Sequence, residues 1–340
     1  MSNEFELQRI SAELGGLAPP VLDRLEITLA RAEAGSRTDL RTPFGSRKRS
    51  REEFINHLDY IVGVEEFEEL QEINEHNKAK VGPISLMYPY REREADVLKY
   101  GHQTYNGDEH AMAVAVDYVS SLIPKRSLRA SSFQTALSLM QTGTSLGFPE
   151  LSSDKRLVSG YYDRAVQLTS KEELYPFILY WRGDCDGPGQ TKQRVVWGSD
   201  HAETIFGATV LHPVLDALKH VKGFSAWKGD DEVDIAMTDL LHQANGRLII
   251  SMDYSSFDSS LSEVLLNHVD DIISSWFGDA GSDRVRLLGS FTNSSPIVVP
   301  WKVELEGRTG GIPSGSVLTN LRGSIANLLA GVYAGIRLNS

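Results

Sequence analysis

At 340 residues, with 41% apolar and 24% charged side chains, the chain can bury one large core or two moderate ones. A balance of 34 basic against 46 acidic residues, net −12, argues against a generic nucleic-acid binder, although a buried channel can be locally basic whatever the total. The single cysteine, Cys185, excludes an internal disulfide framework or a cysteine zinc site and points to a reducing compartment, no stretch reaches the ~18 apolar residues of a membrane span, and the polar MSNEFELQRI start lacks the features of a secretory signal.

The first half reads as mostly helical. Pro20 opens the run VLDRLEITLARAEA, and Gly35 stands just past it, the usual pairing of proline at a helix start with glycine beyond its end. A basic excess follows, with Arg37, Arg41, Arg47, Lys48, Arg49 and Arg51 against Asp39 alone; it fits either a solvated loop or an RNA contact. Phe54–Ile73, Ala111–Ile123 and Ser131–Met140 carry apolar residues at three- and four-residue spacing and predict helices. Gly143, Gly147 and Pro149 then preclude a regular helix over Thr142–Pro149, and Arg182–Gln190 (RGDCDGPGQ) predicts a second irregular segment. Lys192 and Arg194 alternate in the run Thr191–Trp197, so on extended backbone they share a side.

The second half changes character. Asp230–Ala244 predicts an amphipathic helix whose acidic first turn suits the helix dipole. Arg247–Asp253 (RLIISMD) predicts a short buried strand ending on a carboxylate, and Leu261, Leu265, Val269, Ile272 and Trp276 fall on one face of a following helix. Pro296–Leu305 predicts strand, with Pro300 at an edge or bend. Gly310 and Gly311 precede Ile312-Pro313-Ser314-Gly315, and Ser316–Ala334 is compatible with helix. The order of elements suggests an α+β protein with helices on one face of a small sheet.

Two constellations carry chemistry. Asp253-Tyr-Ser-Ser-Phe-Asp258 can bring two carboxylates to one sheet edge. A hard divalent cation takes oxygen ligands, and Mg2+ commonly takes one or two carboxylates plus phosphate oxygens and water. The same spacing also fits a helix-capping aspartate beside a surface one. Gly310–Asn320 (GGIPSGSVLTN) places a Gly/Ser loop before a helix, exposing backbone N–H groups and hydroxyls to a nucleotide or a template backbone. Thr319 and Asn320 could hydrogen-bond a ribose hydroxyl.

Together, DYSSFDSSL and GIPSGSVLTN resemble motifs A and B of the viral RNA-dependent RNA polymerases, in the family's order, with wording nearest the picobirnavirus group and then the partitiviruses. Thr144-Ser145-Leu-Gly147-Phe-Pro149 then resembles motif G, which guides the template, and Lys192-Gln-Arg194-Val-Val-Trp197 resembles motif F, which lines the nucleotide tunnel. The resemblance implies an α+β right-hand polymerase fold: helix-rich fingers and N-terminal region, part of an antiparallel palm sheet, and no thumb. Its implied divisions are a helical region over 1–110, fingers over 111–246 and a partial palm over 247–340. It implies that Asp253 binds catalytic Mg2+ (or Mn2+) and that Asp258 senses the ribose 2′-hydroxyl with Thr319 or Asn320. Ser314 and Gly315 would form the loop that responds to nucleotide, Lys192 and Arg194 would neutralise the triphosphate, and Thr144, Ser145, Gly147 and Pro149 would touch template. Many relatives carry Asn four residues after the motif B threonine, where this chain has Gly323. Implied partners are RNA template, nascent RNA and ribonucleoside triphosphates, with a viral capsid protein as a further partner and no membrane, in a host cytoplasm or virion interior.

The family's motif C is a Gly-Asp-Asp hairpin. Gly229-Asp230-Asp231 has those letters, but it precedes Asp253 and lacks flanking apolar strands, so it reads as a helix start. No residues after the motif B helix encode a motif C, and the chain reads as an incomplete polymerase. The purified 340-residue protein is therefore expected to lack polymerase activity; template-dependent, Mg2+-dependent nucleotide incorporation by it would contradict this. Two alternatives stay open: a non-catalytic RNA-binding fragment, separable by salt-dependent RNA binding without incorporation, and a reverse transcriptase, separable by preference for deoxyribonucleotides.

Overall fold

The computed structural model describes residues 3–35, 87–101, 103–140, 145–168, 174–185 and 191–339, with positions 56, 60 and 72. The basic run over 37–51, nearly all of the helix expected over 54–73, and Thr144 lie outside the described residues. The chain forms two compact units, one comprising Met1–Leu98, Leu179–Val196 and Val298–Lys302, the other Lys99–Ile178, Trp197–Ile297 and Val303–Ser340.

In the first unit, α1 (Asn3–Glu13) packs on α2 (Pro19–Ala34), and α2 on α3 (Tyr90–Leu98). Helix α2 follows its punctuation: proline occupies its first positions, Gly35 ends it at φ +68°, and Val21, Leu25, Leu29 and Ala32 form its buried stripe. Most of a four-stranded sheet belongs to this unit, in the order β2-β1-β3-β4, where β1 is Phe177–Cys185, β2 Thr191–Gly198, β3 Ile297–Val299 and β4 Lys302–Glu304. Arg182–Cys185 thus continues a strand where the sequence suggested an irregular segment. Ladder hydrogen bonds with its neighbours outweigh the low strand propensity of Gly183 and Asp184. Pro300 sits in the bend between β3 and β4, as expected.

On β2 the alternation holds: Lys192 and Arg194 are exposed and Gln193 between them is buried. The Gln193 amide clamps one backbone position, accepting from Tyr88 N at 2.6 Å and donating to Tyr88 O at 3.2 Å. Arg93 Nη2 donates to Gln193 O at 3.0 Å. The strand bearing the two basic residues is therefore fixed by a buried, satisfied amide.

The second unit is helical and carries the main core. Its elements are α4 (Glu109–Ser120), α5 (Phe133–Leu139), α6 (Val158–Gln167), α7 (His201–Leu218), α8 (Asp230–Ala244), α9 (Phe257–Ser260), α10 (Glu263–Trp276), α11 (Asp279–Ser294) and α12 (Thr319–Asn339). Asp108, Ser132, Asp200 and Ser262 cap α4, α5, α7 and α10, each accepting a backbone N–H of the first turn. The core gathers Val119, Phe206, Val210, Leu266, Ile273, Trp276, Leu288, Leu321 and Ile325, all essentially inaccessible. Helix α8 starts at Asp230-Asp231 as expected, Gly229 preceding it at φ +119°.

Three expectations need correction. Leu248–Tyr254 forms no strand, and Leu248, Ile250 and Met252 are exposed. A strand requires a neighbour for its N–H and C=O groups, and among the described residues none pairs with this run, so the expected palm strand is not formed. Leu261 is buried but precedes α10, because Ser262 caps that helix; Asp258 sits instead in the separate single turn α9. The last helix begins at Thr319, with Ser314–Leu318 remaining as turns.

Candidate functional site

The two Asp-bearing positions sit in different surroundings. Asp253 is exposed, and its Oδ1 accepts the Tyr254 N–H at 3.0 Å, a local turn that leaves the carboxylate open to water. Asp258 is partly buried, and burial raises its carboxyl above the usual range. Among the described residues no group of three or more His, Cys, Asp or Glu side chains could hold a metal ion. The donors present match what Mg2+ needs from a protein that shares it with phosphate: one open carboxylate, the remaining positions being left to water and ligand oxygens.

Asp258 is tied by backbone to the Gly/Ser loop. Ile312 N donates to Asp258 O at 2.7 Å, Gly311 N donates to Leu261 O at 2.7 Å, and Ser262 bridges Gly310. The turn 257–262 and the segment 310–312 thus run side by side within one unit. Gly310 (φ +113°) and Gly311 (φ +72°) adopt backbone that side chains disfavour, and a Cβ on Gly310 would lie 2.6 Å from Leu261 O. Arg308, almost wholly buried, reinforces this corner from below. Its guanidinium donates to the carbonyls of Ser295, Gly310, Gly311 and Thr292. No carboxylate is among these acceptors, and burial lowers its pKa to about 10.

The loop itself follows. Ser316 N donates to Pro313 O at 2.9 Å, and the Thr319 hydroxyl donates back to the same carbonyl at 2.5 Å, so Thr319 closes the turn rather than facing outward. Asn320 is exposed, its Oδ1 3.5 Å from the Ser324 hydroxyl. Of the two ribose-sensing candidates, Asn320 therefore has the freer side chain.

One short segment, Trp197–Asp200, collects the other candidates. Ser199 Oγ donates to Gly315 O at 3.0 Å, and a Cβ on Gly315 would fall 1.5 Å from Trp197 O. On the opposite flank, a Cβ on Gly147 (φ +62°) would fall 1.7 Å from Ser199 O, and His201 N donates to Leu146 O at 3.0 Å. Two glycines thus let the chain at 145–149 and the loop at 314–317 press on the same four residues, the last two of β2 and the two that follow it in sequence. Ser145 Oγ accepts the Gly147 N–H at 3.3 Å, and Pro149 follows a cis bond. Lys192 and Arg194 belong to the first unit and the remaining described candidates to the second.

Sequence reasoning missed the acids beneath this segment. Asp200 is fully buried in a two-point pair with Arg164, at 3.1 and 2.5 Å, and Arg164 also faces the Tyr175 and Tyr161 rings. Burial raises the Asp200 carboxyl, against the pull of Arg164. Glu203, also inaccessible, accepts from Ser316 Oγ at 2.6 Å and Val317 N at 3.2 Å. The legible signal was a carboxylate in the otherwise uncharged, largely apolar run ETIFGATVL, which a buried helical stretch does not tolerate without a partner.

Comparison with known proteins identifies the family to which the chain belongs. A family model described as viral RNA-dependent RNA polymerase matches residues 85–339. A protein of human picobirnavirus named "Potential RNA-dependent RNA polymerase" is 26% identical over 265 residues, covering 74% of this chain and 49% of the relative. An RNA-directed RNA polymerase of Cryptosporidium parvum virus 1 is 26% identical over 227 residues, covering 62% of this chain and 42% of its own length. The crystal structure of the human picobirnavirus polymerase lacking its insertion loop shares the fold with a TM-score of 0.69 at 23% identity, over 92% of this chain and 66% of that one. The Sicinivirus polymerase aligns at a TM-score of 0.54 and 17% identity, over 68% and 53% of the two chains. The chain spans about half the length of the curated picobirnavirus relative. With three-quarters of its length matched by the family model, the chain belongs to the viral RNA-dependent RNA polymerase family.

Proposed function

We propose that this chain supplies the template- and nucleotide-binding portion of an RNA-directed RNA polymerase of a double-stranded RNA virus, which adds ribonucleotides by two-metal phosphoryl transfer. The observation that supports the reading is the backbone pairing of the Asp258 turn with residues 310–312, which brings together the two segments read as motifs A and B. Asp253, open to water, is the residue that would hold Mg2+ or Mn2+. Such cations, when bound, activate the attacking 3′-hydroxyl and stabilise the pyrophosphate leaving group. Asp258 suits different chemistry, because a half-buried carboxyl whose charge is disfavoured is better placed to exchange hydrogen bonds with a neutral ribose hydroxyl than to ligate a cation. Asn320 would be its partner there. Lys192 and Arg194, exposed on one side of a strand pinned by Gln193, would meet the triphosphate. Ser145, Gly147 and Pro149, with Thr144 beside them in sequence, would follow the template backbone.

Titration of the 340-residue chain with a ribonucleoside triphosphate and Mg2+, and separately with single-stranded RNA, tests this. The native chain should bind both, and a ribonucleotide more tightly than its deoxy counterpart. Replacing Lys192 and Arg194 together by alanine should weaken triphosphate binding roughly tenfold or more, as expected for two charge-assisted contacts. A native chain that binds neither ligand would overturn the reading.

A further inference from the structure

We infer that Glu203 is a positioning residue that fixes the Ser314–Thr319 loop by holding Ser316 and Val317. The inference rests on the polymerase reading only for what the loop contacts; the contact between Glu203 and the loop stands by itself. Helix α7 brings Glu203 to the loop with no exposed surface, and its carboxylate meets two successive loop donors of the second unit. Ser316 Oγ lies 2.6 Å from Oε1, and Val317 N lies 3.2 and 3.4 Å from the two oxygens. One turn on, at the spacing that shares a helix face, Gly207 leaves the room Val317 occupies; a Cβ there would fall 2.1 Å from Val317 Cγ1. The helix thus presents an acceptor and a hollow in register with two successive loop residues. Ser199 completes the hold from the preceding turn by donating to Gly315 O. An acid placed so deep would not be retained for packing alone, since an apolar residue fills such space without the cost of desolvating a carboxyl.

The electrostatics make the hold responsive to protons. Burial raises the Glu203 carboxyl from 4.5 to about 7, the bonds from Ser316 and Val317 pull it down, and neighbouring Asp200 pushes it up. Asp200 is itself neutralised by Arg164, and the imidazole of His201, next along the helix, is held toward its neutral form by burial. A carboxylate accepts from both loop donors, whereas the protonated acid gives up acceptor capacity to its own O–H. The loop should therefore be held more firmly above neutrality than below it. The global balance runs the other way. A folded-state pKa above the unfolded value means that stability contributed by the protonated form is present below about pH 4.5 and is lost as pH rises through 7. Those opposite signs separate a loop-positioning role from a merely structural one.

The test is amide hydrogen exchange on the native 340-residue chain, Glu203→Gln and Ser316→Ala, without nucleotide or RNA, from pH 6 to 8 and corrected for intrinsic rates. At pH 8 the Val317 amide should exchange about tenfold faster in Glu203→Gln, which loses a charge-assisted hydrogen bond, and faster than native by a smaller factor in Ser316→Ala, where the loop keeps one of its two bonds to Glu203, while Val210 in the middle of α7 keeps its protection. In the native chain Val317 protection should fall on acidification through neutrality, and in Glu203→Gln it should stay flat. Ser316→Ala leaves the buried carboxyl in place, so it reports even where Glu203→Gln does not fold. Unchanged Val317 protection in Ser316→Ala, a pH-flat native profile, or a loss spread evenly along α7 would each overturn the inference. Because no ligand is present, a chain that shows the expected exchange but binds no ribonucleotide would remove the polymerase reading and leave this one standing.

Discussion

Replacing Arg322 by alanine is expected to destabilise the second unit by about 3–5 kcal/mol, the cost of leaving a buried charge without its partner. Arg322 has no accessible surface, and its guanidinium joins three helices. Nη2 donates to Asp270 Oδ2 on α10 at 2.8 Å and to Asn293 Oδ1 on α11 at 2.7 Å, while Nη1 donates to Thr292 Oγ1 at 2.5 Å. Gly289 makes room for the acid: a Cβ there would lie 2.1 Å from Asp270 Oδ2. Burial raises the Asp270 carboxyl, and Arg322 opposes that rise. Without the guanidinium only the raising influence remains, so Asp270 takes up a proton on folding. A raised carboxyl loses its contribution as pH climbs through the folded pKa, so the deficit of the variant should be smaller at acid pH than at pH 8. Urea unfolding followed by tryptophan fluorescence would measure both. In a double-mutant cycle, Arg322→Ala with Asp270→Ala should lose far less than the two single losses added, because the pair is removed together. Simple additivity would show that the ion pair is not what joins the helices.

This network explains why the Asp258 turn and the Gly/Ser loop stay in place although both consist mostly of turns. Arg322 locks α10, α11 and α12 to one another, and Arg308 then bonds the carbonyls of 310 and 311 that lie between α11 and the loop. Two buried cations, one paired and one satisfied by carbonyls, hold the backbone on which the site is built. The exposed groups can then be few without losing their relative placement within the unit.

What could be read from the sequence follows from the range of the interaction responsible. Helix α2 was legible because its proline, its glycine and its apolar spacing act within sixteen residues. Helix α8 was legible through the acids of its first turn, which also separated Gly229-Asp230-Asp231 from a metal-binding hairpin. The alternation of Lys192 and Arg194 survived because a strand's period is fixed by the backbone. The strand expected at Arg247–Asp253 failed for the opposite reason: apolar, β-branched composition states a preference, but a strand exists only with a neighbour to bond. Nor could the buried partnerships be read. Glu203 meets Ser316 across 113 positions and Arg322 meets Asp270 across 52. No periodicity or cap connects such residues. Only the oddity of a carboxylate in the apolar first half of α7 marked Glu203, and nothing local marked Asp270, which reads as the charged side of α10.

Alanine at Gly315 should weaken ribonucleotide binding about five- to 150-fold, a loss of roughly 1–3 kcal/mol in a site forced to repack, while alanine at Gly323 should be tolerated. The two glycines differ in what stands opposite them. A Cβ on Gly315 would fall 1.5 Å from Trp197 O and 2.7 Å from Trp197 C, which are backbone atoms and cannot rotate away. Either the loop or the Trp197–Asp200 segment must shift, and the second is also gripped at Gly147, where a Cβ would lie 1.7 Å from Ser199 O. Displacement therefore propagates from the loop to the segment at 145–149. On Gly323 a new Cβ would meet Phe257 Cε1 at 3.6 Å, an ordinary contact, in the interior of a helix where alanine is favoured over glycine by about 1 kcal/mol. Gly323→Ala should thus unfold at the same or a slightly higher temperature, with ribonucleotide affinity unchanged. Calorimetric titration with a ribonucleoside triphosphate and Mg2+, beside thermal melts of both variants, checks the contrast. If Gly315→Ala kept native affinity, the close approach of the loop to Trp197 would have no part in binding. If Gly323→Ala lost affinity as well, the nucleotide would have to reach α12 itself, at the position where many polymerase relatives carry asparagine.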